Sequence, residues 1–141
     1  MEPEAAVRQF YQALSTGDGS LLDEILADDW EDIPLPPGTE PGRESFKAQA
    51  LTWMRTVFPD FTVTNEDIIV SADGSKVTVR SVSGGTHAGE MLGIPPTGKK
   101  AEFRAVDIHQ FRDGVIVRTW HLEDFFGLAR QLGAQVVPPQ P

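Results

Sequence analysis

Asp113-Gly114 separates two runs that alternate apolar and polar residues, "AEFRAVDIHQFR" (101–112) and "VIVRTWHL" (115–122). An Asp-Gly pair between such runs is a strong hairpin signal, because both turn positions need positive φ. Upstream, "KVTVRSVSGGT" (76–86) alternates in the same way and "FTVTNEDIIV" (61–70) is rich in β-branched residues, with "ADGS" (72–75) as a turn between them. The second half of the chain therefore reads as a meander of antiparallel strands. The first half has a helical period. Pro3 opens a helix whose stripe is Val7, Phe10, Tyr11 and Leu14, and Gly17 and Gly19 stop it. A short second helix carries Leu21, Leu22, Ile25 and Leu26, with Ser20 as its N-cap. A third is expected from about Arg43 to Val57, with the stripe Phe46, Ala50, Trp53, Met54 and Val57, ended by Pro59. Between the last two, "DDWEDIPLPPGTEPG" (28–42) gives a brief extended piece and a loop, since four prolines exclude a helix. Helices followed by a meander imply an α+β fold with helices on one face of a curved sheet, and a pocket between the layers is the default place for a ligand.

Charge and composition remove whole classes of function. Twelve basic against 21 acidic side chains give a formal net charge of −9, which opposes binding to nucleic acid or to an anionic membrane surface. There is no cysteine, so neither a disulfide framework nor a thiolate metal site exists. No run is apolar and long enough to span a bilayer, and "MEPEAAVRQFYQAL" has acid where a secretion signal has base, so a soluble, cytoplasmic chain is expected. His87, His109 and His121 lie far apart without ligand spacing, and no metal is expected. Residues 1–133 form one domain in this reading, and 134–141 a proline-rich, flexible tail.

The segment "GTHAGEMLGIPPTGKK" (85–100) is too long for a tight turn between two strands. Pro95 and Pro96 stiffen it, while Met91, Leu92 and Ile94 give it an apolar side. It is expected to form a rim or lid of the pocket; alternatively, those three side chains cover the core or a neighbouring subunit. The pieces "GTHAG", "GIPPTGK" and "VDIHQFRDG", a tryptophan four residues before an aspartate, and the closing "GLARQLG" occur together in 85–133, about a third of the chain. That stretch strongly resembles the SnoaL-like polyketide cyclases of the NTF2-like superfamily, and "FYQALSTGD", "DDW" and "FPDF" nearer the N-terminus fit as well. The resemblance implies a cone-shaped barrel, a curved antiparallel sheet with the N-terminal helices packed on its concave face. It also implies an intramolecular aldol closure of a hydrophobic aromatic polyketide ester, with no cofactor and no metal. The acid/base aspartate of the family matches Asp124, four residues after Trp120. The sequence departs from the family pattern at Thr119, where relatives often carry histidine directly before the tryptophan; here His121 follows it instead.

Aldol closure needs a base at the carbon alpha to a carbonyl and a donor for the oxygen where charge develops. Asp124 lies beside Trp120, Phe125 and Phe126, an apolar setting that would raise its pKa, although Asp is also a favoured helix N-cap. His109 is the second candidate for catalysis. It shares strand parity with Phe103, Ala105, Asp107 and Phe111, a face that suits a pocket wall or an inter-subunit contact. On the next strand Thr119 and His121 share one parity and Trp120, Leu122 and Asp124 the other; a bulge would exchange the faces. His87, Asp107, Trp30, Trp53, Trp120 and His121 complete the candidate substrate contacts, although helical spacing alone explains Trp53 as core. A non-catalytic binding domain, an isomerase or a cofactor-free hydroxylase on the same fold are the alternatives. Val106 and Ile108 fall on the outer face of the sheet and suggest a homodimer or higher homo-oligomer.

Overall fold

The computed structural model describes residues 1–141. In chain order the elements are α1 (Pro3–Thr16), α2 (Ser20–Asp23), β1 (Leu26–Ile33), α3 (Arg43–Ala48), α4 (Ala50–Val57), β2 (Thr62–Val70), β3 (Lys76–Thr86), β4 (Lys100–Arg112), β5 (Val115–Glu123) and α5 (Phe125–Gln131). The five strands make one sheet in the order β1-β5-β4-β3-β2. The three β2–β5 pairings are antiparallel, as the meander predicts, and β1 joins the far edge parallel to β5. The expected curved antiparallel sheet thus gains one parallel edge: "LADDWEDI", expected as a brief extended piece, is a full strand alongside β5. No helix is long and apolar enough to cross a membrane.

α1 follows its stripe. Val7, Phe10 and Tyr11 are buried with Ala6 and Ala13, Pro3 sits in the first turn, and Gly17 at φ 77° ends the helix in the left-handed region. These side chains pack with Leu22, Ile25, Leu26 and Trp30 against Val77, Val79 and Ile116 of the sheet, which is the larger of two core clusters. Leu26 begins β1 rather than ending α2, and Ser20 lies inside α2, where Asp18 Oδ1 accepts from its amide and its hydroxyl. The expected third helix is broken at Gln49 (φ −108°, ψ −71°) into α3 and α4. Gln49 still donates its amide to Ser45 and accepts from Trp53, so the path turns without losing its hydrogen bonds.

The 87–99 segment is not a rim. Met91 is 1% exposed in the second core cluster with Val57, Phe58, Phe61, Phe103, Leu128 and Leu132, and Ile94 packs against it. Two amides of the segment, Ala88 and Gly89, donate to the Val57 carbonyl at the end of α4. A Cβ on Gly89 would stand 2.5 Å from the Thr56 carbonyl oxygen, which explains the glycine. The segment therefore covers the core, the alternative the sequence left open. Among the outward residues of the sheet, Val106 opposes Leu122 and Ile108 opposes Trp120, an apolar quartet on the convex face.

Candidate active site

The pleat of β4 turns Ala101, Phe103, Ala105, Asp107 and His109 inward. In the β4–β5 register Asp107 faces His121 and His109 faces Thr119, so four polar side chains meet on the concave side. A cavity of about 340 Å³ opens between this wall and the α3–α4 corner. Phe10, Phe46, Trp53, Met54, Phe61 and Phe125 give it an apolar lining, and Leu35, Pro36, Thr39 and Glu40 of the proline-rich loop close one side. The broken helix places Ser45, Gln49 and Trp53 along the same cavity.

Two clusters of polar groups stand at the wall. In the first, Tyr11 Oη donates to Asp107 Oδ2 at 2.6 Å and lies 2.8 Å from His109 Nε2. His109 Nδ1 lies 2.8 Å from Thr119 Oγ1, which accepts from the Trp30 indole N–H at 3.0 Å. Burial raises the Asp107 pKa to about 6 against the opposing pull of the Tyr11 hydrogen bond. Burial, reinforced by the charge of Asp107, also pushes the Tyr11 phenol well above its ordinary value, and burial alone holds His109 down at about 3, so His109 is neutral. The second oxygen of Asp107, Oδ1, is buried and has no hydrogen-bond partner in the protein, and the same is true of the hydroxyl of Ser45, which also lines the cavity.

In the second cluster, His121 Nδ1 is 2.7 Å from Glu123 Oε1, and His121 Nε2 is 2.8 Å from the Pro34 carbonyl and 3.4 Å from Asp32 Oδ1. Burial pulls the His121 pKa down, but the Glu123 hydrogen bond and the charges of Asp32 and Glu123 outweigh it and lift it to about 9. Asp32 in turn is raised to about 6 by burial, with His121 opposing. At neutral pH the cavity therefore holds an imidazolium beside carboxylates, with both imidazolium N–H groups engaged.

The structure brings Asp107, His121 and Trp53 to the cavity and places the other sequence candidates elsewhere. Asp124 is exposed and caps α5, its Oδ1 accepting from the Gly127 amide at 2.8 Å. It shares strand parity with Leu122, which points to solvent, and so does not border the cavity. His109 sits behind the wall, bonded to Tyr11 and Thr119. Trp30 is core, stacked edge-on against Phe46, and Trp120 lies on the convex face under Arg118. His87 is fully buried in the 87–99 segment, where its Nδ1 accepts from the Thr97 amide, so it pins that segment instead of reaching the cavity. Sequence reasoning missed Tyr11, Ser45, Asp32 and Glu123. The parity of Thr119, His121 and Glu123 was available for the last of these; Tyr11 was hidden in an apolar helical stripe, and nothing local marks Ser45 or Asp32.

Comparison with known proteins identifies the family and the fold. The family model described as SnoaL-like polyketide cyclase matches residues 5–132. The nogalonic acid methyl ester cyclase of Streptomyces nogalater is 30% identical over 86% of this chain and 90% of its own length. Among solved structures, TsrD from Streptomyces laurentii superposes with a TM-score of 0.82 at 32% identity, covering 94% of this chain and 95% of that one. IdmH, a putative polyketide cyclase from Streptomyces antibioticus, gives 0.81 at 32% identity over 95% of this chain and all of its own.

Proposed function

Because this chain belongs to the SnoaL-like polyketide cyclase family, we propose that it closes a ring in a hydrophobic polyketide ester by an intramolecular aldol reaction, with Asp107 as the acid/base. The observation that carries this is a carboxylate at the wall of a largely apolar cavity, its pKa raised to about 6 and one of its oxygens free of protein partners. Near neutral pH such a group is ionised yet a stronger base than a solvated carboxylate, which is what proton abstraction next to a carbonyl requires. Asp107 takes the proton from the carbon alpha to one carbonyl, and the C–H electron pair becomes an enolate. The enolate carbon bonds to a second carbonyl carbon, whose π pair moves onto oxygen. That oxygen takes up a proton from Asp107 and restores the carboxylate. The charge of His121 and the free hydroxyl of Ser45, both at the cavity, favour the developing oxyanion.

Nogalonic acid methyl ester, the substrate in the name of one relative, is the natural probe. Wild-type protein should convert it to an isomer of unchanged mass, separable by chromatography. Binding of the ester without conversion would overturn the cyclase reading in favour of a binding domain. The same proposal includes self-association through the convex quartet of Val106, Ile108, Trp120 and Leu122, which exposes apolar surface around Leu122 and Val106. Light scattering showing only monomer at micromolar concentration would count against it.

A further inference from the structure

We propose that Trp30 and Thr119, neither assigned a part in the reaction above, are positioning residues that confine proton exchange at Asp107 to its Oδ1 oxygen. This rests on Asp107 being the acid/base, and its test does not depend on turnover.

The argument starts at the end of the chain that has no freedom. An indole N–H only donates, so at 3.0 Å Thr119 Oγ1 must accept from Trp30. The threonine hydroxyl proton then has one acceptor within reach, His109 Nδ1 at 2.8 Å. His109 is fully buried and carries one ring proton when neutral, and Nδ1 is already an acceptor, so that proton sits on Nε2. Nε2–H points to Tyr11 Oη at 2.8 Å, which leaves the phenol proton for Asp107 Oδ2 at 2.6 Å. Five side chains from α1, β1, β4 and β5 thus form one directed series, Trp30 to Thr119 to His109 to Tyr11 to Asp107, in which every buried donor has an acceptor.

Reversing the series requires a proton on Asp107 Oδ2. Tyr11 would donate to His109 Nε2, and His109 Nδ1–H to Thr119. Thr119, at the cavity wall, would then have its hydroxyl oxygen between two donors and its proton without any acceptor in the protein, a costly arrangement. Trp30 blocks the reversal because it can only donate. A proton taken from a ligand is therefore held on Oδ1, the oxygen without a protein partner, and leaves again from Oδ1. The five-membered series changes no bonds during the reaction; it keeps Oδ2 an acceptor, so the carboxyl presents the same oxygen for uptake and for return. Burial supports the same picture, since it holds His109 neutral across the physiological range.

The test is nuclear magnetic resonance on the full-length protein without substrate. In ¹⁵N-histidine-labelled wild type, His109 should show the Nε2–H tautomer between pH 5 and 8, and ¹³C-labelled Asp107 should titrate near 6. Thr119→Val keeps the shape and removes the hydroxyl. It should shift His109 to a mixture of tautomers, free Tyr11 to turn toward Nε2, and raise the Asp107 midpoint by about one pH unit through loss of its donor. Trp30→Phe should move both readouts in the same direction by less, and it serves if Thr119→Val does not fold. Thr119→Ser, which retains the hydroxyl, should leave both as in wild type. An unchanged tautomer and an unchanged Asp107 midpoint in a folded Thr119→Val or Trp30→Phe protein would overturn the proposal, whatever either variant does to turnover. Movement of both readouts in a protein that converts no ester would uphold the directed series that fixes Oδ2 as an acceptor and refute only the cyclase reading.

Discussion

Replacing Asp107 with Asn should make the protein more stable at neutral pH while disabling it. Burial raises the Asp107 pKa from 3.8 to about 6. The folded state thus holds this proton more tightly than the unfolded chain does, and a difference of that size corresponds to about 3 kcal/mol. Between about pH 4 and pH 6 the unfolded state carries fewer protons, so this residue's contribution to stability falls as pH rises through that window and stays low above it. Asn cannot ionise and so escapes this cost, keeps the side-chain shape, and offers an oxygen to the Tyr11 hydroxyl. Denaturant unfolding of both proteins at pH 4 and pH 7.5 reads the effect directly. Asp32, also raised to about 6, is common to both and cancels. The variant should be nearly equal to wild type at the lower pH and more stable by about 3 kcal/mol at the higher. A stability difference that does not change with pH, or an Asn variant less stable at pH 7.5 than at pH 4 relative to wild type, would refute the claim that burial disfavours the ionised form of Asp107.

Two further outcomes separate structural from chemical roles. Asp124→Ala should cost about 1 kcal/mol in thermal or chemical unfolding through loss of its cap on Gly127, with turnover unchanged. Met91→Ala should cost about 2–5 kcal/mol because the side chain is 1% exposed in the second core, and KM for a polyketide ester should stay as in wild type because the 87–99 segment does not border the cavity.

The helical stripe of α1, the Asp113-Gly114 hairpin and the inward face of β4 were legible because each follows from a local period or a local turn requirement. Asp113 and Gly114 indeed have φ of 53° and 83°. Asp107 was legible as part of a wall for the same reason. Asp124 was misplaced because a motif counts residues along the chain, whereas the pleat sends Asp124 outward with Leu122 and turns Glu123 inward. The parallel seat of β1 and the break at Gln49 depend on what lies across the sheet and across the cavity, which no local pattern encodes. Tyr11, 96 residues from Asp107 in sequence, entered the site only once α1 had been laid on the sheet.

The most direct test compares Asp107→Asn with Asp124→Asn in turnover of a polyketide ester, with kcat/KM followed across pH. Asn keeps the cap at position 124 and the shape at position 107, so neither change confounds folding with chemistry. The account predicts a wild-type acid limb near pH 6, its retention in Asp124→Asn with full activity, and a loss of about a hundredfold or more in Asp107→Asn. Full turnover by Asp107→Asn together with a comparable loss in Asp124→Asn would contradict it and return the acid/base role to the residue at the helix cap.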